Sequence, residues 1–189
     1  MWLPRLLVES ALIVFSVLLA LAVDEWRDHR ASLARSREAL SAITTELKSN
    51  REAVQRTSEF HAGVHAKLRE FAAAGKPIDL SQLHGGVFQP ATLLQSAWIT
   101  ARDTGALEPL PFSLVSELSK TYEYQTQYMT LSRAISDDIT IDLRRRGLEP
   151  VLKEGLPGFT TLAQDFSSRE QNLVKVYDAA LAQIASAPH

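Results

Sequence analysis

The chain has 189 residues and no cysteine. Disulfides, thiolate zinc sites and cysteine nucleophiles are thereby excluded, and the redox compartment stays open. Neither sign of charge dominates: 20 basic residues face 22 acidic ones, a formal charge of −2. A polyanion-binding surface needs a basic excess, so nucleic acid is not an expected partner. Glycine occurs only eight times, and neither glycine nor proline interrupts the run from Arg5 to Ala62. No segment alternates apolar and polar residues long enough for a strand. A nucleophile elbow, a glycine-rich phosphate loop, a paired-carboxylate motif and a zinc signature are all missing. The chain is therefore not expected to be an enzyme, and neither cofactor nor metal is expected. The expected class is all-α.

What the chain does contain begins with Leu6–Val23, eighteen residues of which only Glu9 is charged. As a helix they would span roughly 27 Å, close to the hydrocarbon thickness of a bilayer. The expectation is a transmembrane helix over 4–23. Two other readings exist: a cleaved signal peptide with small residues at Ala20 and Ala22, and a buried helix of a protein that never enters lipid. The helical pattern continues without a breaker into Asp24, Glu25 and Trp26, which favours the anchor.

From Trp26 a seven-residue series runs through Leu33, Leu40, Leu47, Val54, His61 and Leu68, and backward through Leu19 and Leu12. The companion seam (His29, Ser36, Ile43, Asn50, Thr57, Val64, Phe71) is half polar. One helix from Pro4 to Ala74, closed by Gly75 and Pro77, is the consequence. The seam could pair with a second copy, with Glu25 and Arg30, and Glu46 and Arg51, at flanking positions. Alternatively it packs on later helices of its own chain, the reading favoured for Leu40 to Phe71. The rest is punctuated by breakers. A short capped turn is expected at Asp79–Gln82, and helices over Pro90–Thr104, Pro111–Arg146 and Thr161–Ala185, the last opened by a capping box of Thr161 and Gln164. The organisation expected is a membrane helix 4–23, a stalk 24–74 continuing from it, and an antiparallel helical bundle formed by 75–189 on the distal stalk.

Few residues suggest chemistry. Glu9 lies inside the apolar run, where a carboxylate is costly. It could relay protons or ions within a membrane complex, or merely pair with Arg5 one turn earlier. Ser16 and Ala20 have a small-xxx-small spacing that can let helices approach closely. His61 and His65, four apart and with Glu59 and His84 as companions, could hold a metal, but no third ligand is fixed and packing explains them better. Asp137, Asp138 and Asp142 read as a solvated face, and Trp98, Arg102 and Asp103 as core and cap.

The pattern Glu9, Leu12-Ile13-Val14, Ser16 to Leu21 and Asp24-Glu25-Trp26, followed by Leu40-x-x-Ile43-x-x-Glu46-Leu47-x-x-Asn50 and by Trp98, Gly105-Ala-Leu107, Leu118 and Tyr122, resembles an uncharacterised family of bacterial membrane proteins known only as a domain of unknown function. The resemblance implies a single-pass inner-membrane protein with a helical C-terminal domain in the periplasm. The basic residues Arg27, Arg30, Arg35 and Arg37 after the apolar run imply the opposite orientation. The resulting expectation is a membrane-anchored structural or interaction protein in the bacterial inner membrane, with a periplasmic helical domain. Its partners would be the lipid bilayer, a second copy through the membrane helix and stalk, or another protein. The alternative is a subunit of a proton- or ion-coupled membrane complex that uses Glu9.

Overall fold

A run rich in Leu, Ala, Glu and Arg, free of glycine and proline from Arg5 to Ala62, has no reason to leave the helix. The computed structural model describes the backbone of residues 3–186 and the side chains of residue 9 and residues 12–186. Its first helix, α1, spans Leu3–Ala73, 71 residues or roughly 105 Å. The closure is a Schellman motif: Gly75, at φ 63°, donates to the Ala72 carbonyl and Lys76 donates to that of Phe71. Glycine fits because a left-handed residue is needed there.

Four more helices follow: α2 (Ser96–Asp103), α3 (Phe112–Arg146), α4 (Leu148–Glu154) and α5 (Leu156–Ser186), with a 3-10 turn at Leu80–Gln82. Among the described residues there is no strand. Helix α5 lies antiparallel to α1: Ser58 and Ser167 exchange hydroxyl-to-carbonyl bonds, His61 meets Glu170, and Arg51 meets Asp178. Helix α3 runs parallel to α1, since Tyr122 reaches Glu46 and Gln125 reaches Asn50. A parallel pair needs a connection that returns the length of the bundle. Residues 74–111 provide it, descending as an extended strap before α2.

The α1 seam turns into this bundle. Leu40, Ile43, Leu47, Val54, His61, Val64, Leu68 and Phe71 are all buried. They pack in two clusters, one with Leu118, Tyr122, Phe166, Leu173 and Tyr177, the other with Ile78, Leu83, Val151 and Phe159. The expected intrachain packing of Leu40 to Phe71 is what the structure shows.

Several expectations need correction. Among the described residues no helix is long and apolar enough to cross a membrane. The apolar run is bracketed by Glu9 and Asp24, leaving 14 residues without a charge. That is roughly 21 Å of helix against a hydrocarbon core of about 30 Å. The transmembrane helix over 4–23 falls with this, as do the single-pass inner-membrane placement and the periplasmic orientation of the remainder. Helix α2 starts at Ser96, not Pro90, because the strap's backbone binds side chains instead of itself. Helix α4 was not expected. Helix α5 begins five residues before Thr161, since Pro157 suits a first turn; the Thr161 hydroxyl donates back to the Pro157 carbonyl and caps nothing.

Candidate functional site

Two features stand out: an apolar arm and a buried polar spine. The arm is the part of α1 that precedes the bundle. Burial begins at Ser36, with Leu33 half-covered. Before Leu33, the apolar side chains of the described residues stand exposed. Ile13 is 66 % exposed, Leu19 54 % and Trp26 58 %; Leu12, Val14, Phe15, Val17, Leu18, Leu21 and Val23 are exposed as well. Apolar residues surround the whole circumference, a pattern normally found in a helix enclosed by others. The Arg30 guanidinium lies over the Trp26 ring, 4.8 Å from its centroid.

Glu9, Ser16 and Ala20, three of the residues singled out for a site, lie on this arm. Glu9 is exposed; its reading as an intramembrane relay presupposed the span that the structure does not have. The side chain of Arg5, its expected partner, lies outside the described residues. Ser16 and Ala20 are exposed, and the Ser16 hydroxyl donates to the Leu12 carbonyl at 2.8 Å.

The spine lies inside the bundle and serves the strap. An extended segment cannot satisfy its own backbone groups, so others must. Glu46 of α1, 6 % exposed, accepts from Ser96 Oγ, from the backbone of Ala97 (2.9 Å) and Trp98, and from Tyr122 Oη (2.7 Å). It thus closes the N-terminus of α2, where a carboxylate is favoured. Asn50 accepts from the Leu94 N–H and donates to the Leu94 carbonyl and to Gln125 Oε1. Gln125 donates to the same carbonyl, and Tyr177 Oη donates to Gln125 Oε1. His61 Nε2 accepts from the Gln89 N–H, which leaves Nδ1 to donate to Glu170 Oε2 at 2.9 Å. Tyr128 Oη donates to Glu170 Oε1 and accepts from the Ala91 N–H. Trp98 stacks on Tyr122 with ring centroids 5.1 Å apart.

Burial, reinforced by the adjoining Glu46 and Glu170 carboxylates, pushes the Tyr122 and Tyr128 hydroxyls above the usual tyrosine range. Burial does the same to Tyr177, with the neighbouring Tyr128 next in effect. The spine's donors and acceptors are committed to the strap or to one another, so the arrangement locks a segment in place.

His61 is fully buried in the spine and His65 half-buried, and among the described residues no three His, Asp or Glu side chains come together around a metal position. Trp98 is core, whereas Arg102 and Asp103 form an exposed ion pair. Sequence reasoning missed Glu46 and Glu170 as buried acids. A signal existed for Glu170, which falls between Phe166 and Leu173 on the apolar face of α5. At the end opposite the arm, a cavity of about 750 Å³ is lined by Ala72, Lys76, Ile78, Leu148, Leu152 and Lys153 among others.

No protein-family model, curated protein or solved structure matches this chain. The resemblance drawn from Glu9, the apolar run, Asp24-Glu25-Trp26, the Leu40 to Asn50 pattern and Trp98 to Tyr122 therefore rests on those residues and on no match.

Proposed function

We propose that the protein is a helical structural and interaction module, in which the bundle is a rigid head and the apolar arm is the element through which it assembles. The observation that carries this reading is the exposure of Leu12, Phe15, Leu19, Leu21 and Trp26, which none of the described residues cover. Monomeric proteins seldom leave a contiguous apolar surface of that extent open, and such patches mark interaction sites. The spine supports the head's role as a scaffold, because its polar groups specify one packing of α1, α3, α5 and the strap.

The test is light scattering on the full chain against its 20.9 kDa protomer mass. A particle heavier than one protomer is expected at micromolar concentration. Leu19→Glu should return it to one protomer while the thermal transition of the bundle stays in place. A wild-type chain that remains a monomer up to the highest soluble concentration refutes the proposal.

A further inference from the structure

We propose that the cavity at the end of the bundle opposite the arm binds a single-chain alkyl carboxylate, with the carboxylate between Lys76 and Lys153 and the chain on Ile78, Leu152 and Leu156. The proposal is independent of assembly through the arm.

The cavity follows from how this end of the bundle is closed. Helix α1 stops at Ala73, and the chain turns at Gly75 into Lys76, Pro77 and Ile78. On the other side, α4 is a separate piece of seven residues set between Gly147 and Gly155, and it packs on α3 and α5. The space between α4 and the end of α1 amounts to about 750 Å³, within the roughly 300–1,000 Å³ typical of small-molecule sites. Its α4 wall is roughly 10 Å long, enough for a small molecule and short for a partner helix.

Two kinds of residue line it. Ile78 is 6 % exposed and belongs to the second core cluster, on which Leu152 and Leu156 are half-buried. These three make an apolar floor. Leu148, four residues before Leu152 and 52 % exposed, extends that floor to the mouth. The charged lining residues are Lys76, Glu149 and Lys153, all exposed; two lysines and one glutamate leave the mouth at +1. Glu149 and Lys153 stand four apart on α4, a spacing that allows an ion pair. No such pair forms, and neither lysine is joined to a carboxylate among the described residues.

An apolar floor under a mouth of this charge complements a molecule with an alkyl chain and a single negative charge. Glu149 disfavours a dianion. No arginine lines the cavity, so the planar fork that grips phosphate is missing. A neutral or cationic amphiphile would leave both lysines unanswered.

The test is calorimetric titration of the full-length protein with decanoate below its micelle concentration. Saturable binding of one decanoate per chain is expected. Lys153→Gln should weaken it about threefold, and Lys76→Gln with Lys153→Gln about tenfold, the scale of one and of two exposed charge contacts. Glu149→Gln should tighten it about threefold on the same scale, a direction that damage to the fold does not mimic. Leu148→Ser, at an exposed position, should weaken binding while the unfolding midpoint stays in place. Decanol and decylammonium should bind at least about tenfold more weakly than decanoate. No binding of decanoate, equal binding of decylammonium, or an affinity that ignores the lysine and Glu149 variants overturns the proposal. Binding lost in Leu19→Glu and kept in the lysine variants puts the alkyl chain on the arm and overturns it too. Capture on phosphatidylglycerol vesicles that needs the two lysines, without binding of monomeric decanoate, assigns them to a lipid surface and likewise overturns it. None of these outcomes alters the particle mass by which assembly is judged.

Discussion

Glu46→Ala is the most demanding test of the spine. The carboxylate is 6 % exposed and accepts from four donors: Ser96 Oγ, the Ala97 and Trp98 backbone, and Tyr122 Oη. Truncation leaves the first turn of α2 uncapped, which alone costs about 0.5–2 kcal/mol. It also orphans the Tyr122 hydroxyl inside the bundle, at about 1–3 kcal/mol. These losses overlap, because water can enter where the carboxylate was. The expected total is about 1.5–4 kcal/mol, from the lower ends of those two ranges to somewhat below their full sum. For a chain of this size that lowers Tm by roughly 3–16 °C. Urea unfolding followed by far-UV circular dichroism measures it, in the Leu19→Glu background so that assembly does not contribute. Trp98, stacked on Tyr122, reports by fluorescence whether α2 still docks. Tyr122→Phe removes one donor and leaves the cap, so about 1 kcal/mol is expected. The two variants should be non-additive in a double-mutant cycle. A Glu46→Ala protein within about 0.5 kcal/mol of its parent, the scale of an ordinary surface substitution, would refute the claim that this acid organises the strap.

Two further outcomes follow from the same geometry. The neutral forms of Tyr122, Tyr128 and Tyr177 are favoured in the fold, because burial raises each hydroxyl above the unfolded value. Their contribution is complete below about pH 10 and is lost as pH rises beyond it, at up to about 1.4 kcal/mol per unit for each tyrosine. Urea midpoints at pH 9, 10 and 11 should fall steeply only over the last interval (the pH values bracket the unfolded tyrosine pKa of about 10), and a flat profile would contradict the burial. Gly75→Ala should cost about 1 kcal/mol, because a Cβ there meets nothing within 4 Å and the only penalty is its left-handed backbone at φ 63°. An unchanged urea midpoint would show that α1 does not depend on this closure.

The resemblance and the hydropathy of the first helix both pointed to lipid, and the reason they misled is instructive. An eighteen-residue window starting at Leu6 tolerates Glu9 as one charge among many apolar residues. Counted from that charge to Asp24, the same segment is too short to span. The apolar circumference was legible, but composition alone could not say what surrounds it, because a helix surrounded by lipid and one surrounded by other helices share the same composition.

The sequence by itself determined the helical class, the unbroken course of α1 and its stop at Gly75, the ends of α2 and α3 at Gly105 and Gly147, and the inward stripe from Leu40 to Phe71. These depend on hydrogen bonds four residues apart, on breakers and on a repeat that a helix must display on one face. Tertiary structure decided the rest. Pro90 to Gln95 reads as the start of a helix, yet it is extended, because Asn50, Gln125 and Tyr128 offer its backbone better partners from 31 to 44 residues away in the chain. Glu46, His61 and Glu170 look like surface or ligand residues until α1, α3 and α5 enclose them. Such pairings join segments distant in sequence, and no local periodicity records which distant group a buried carboxylate will meet.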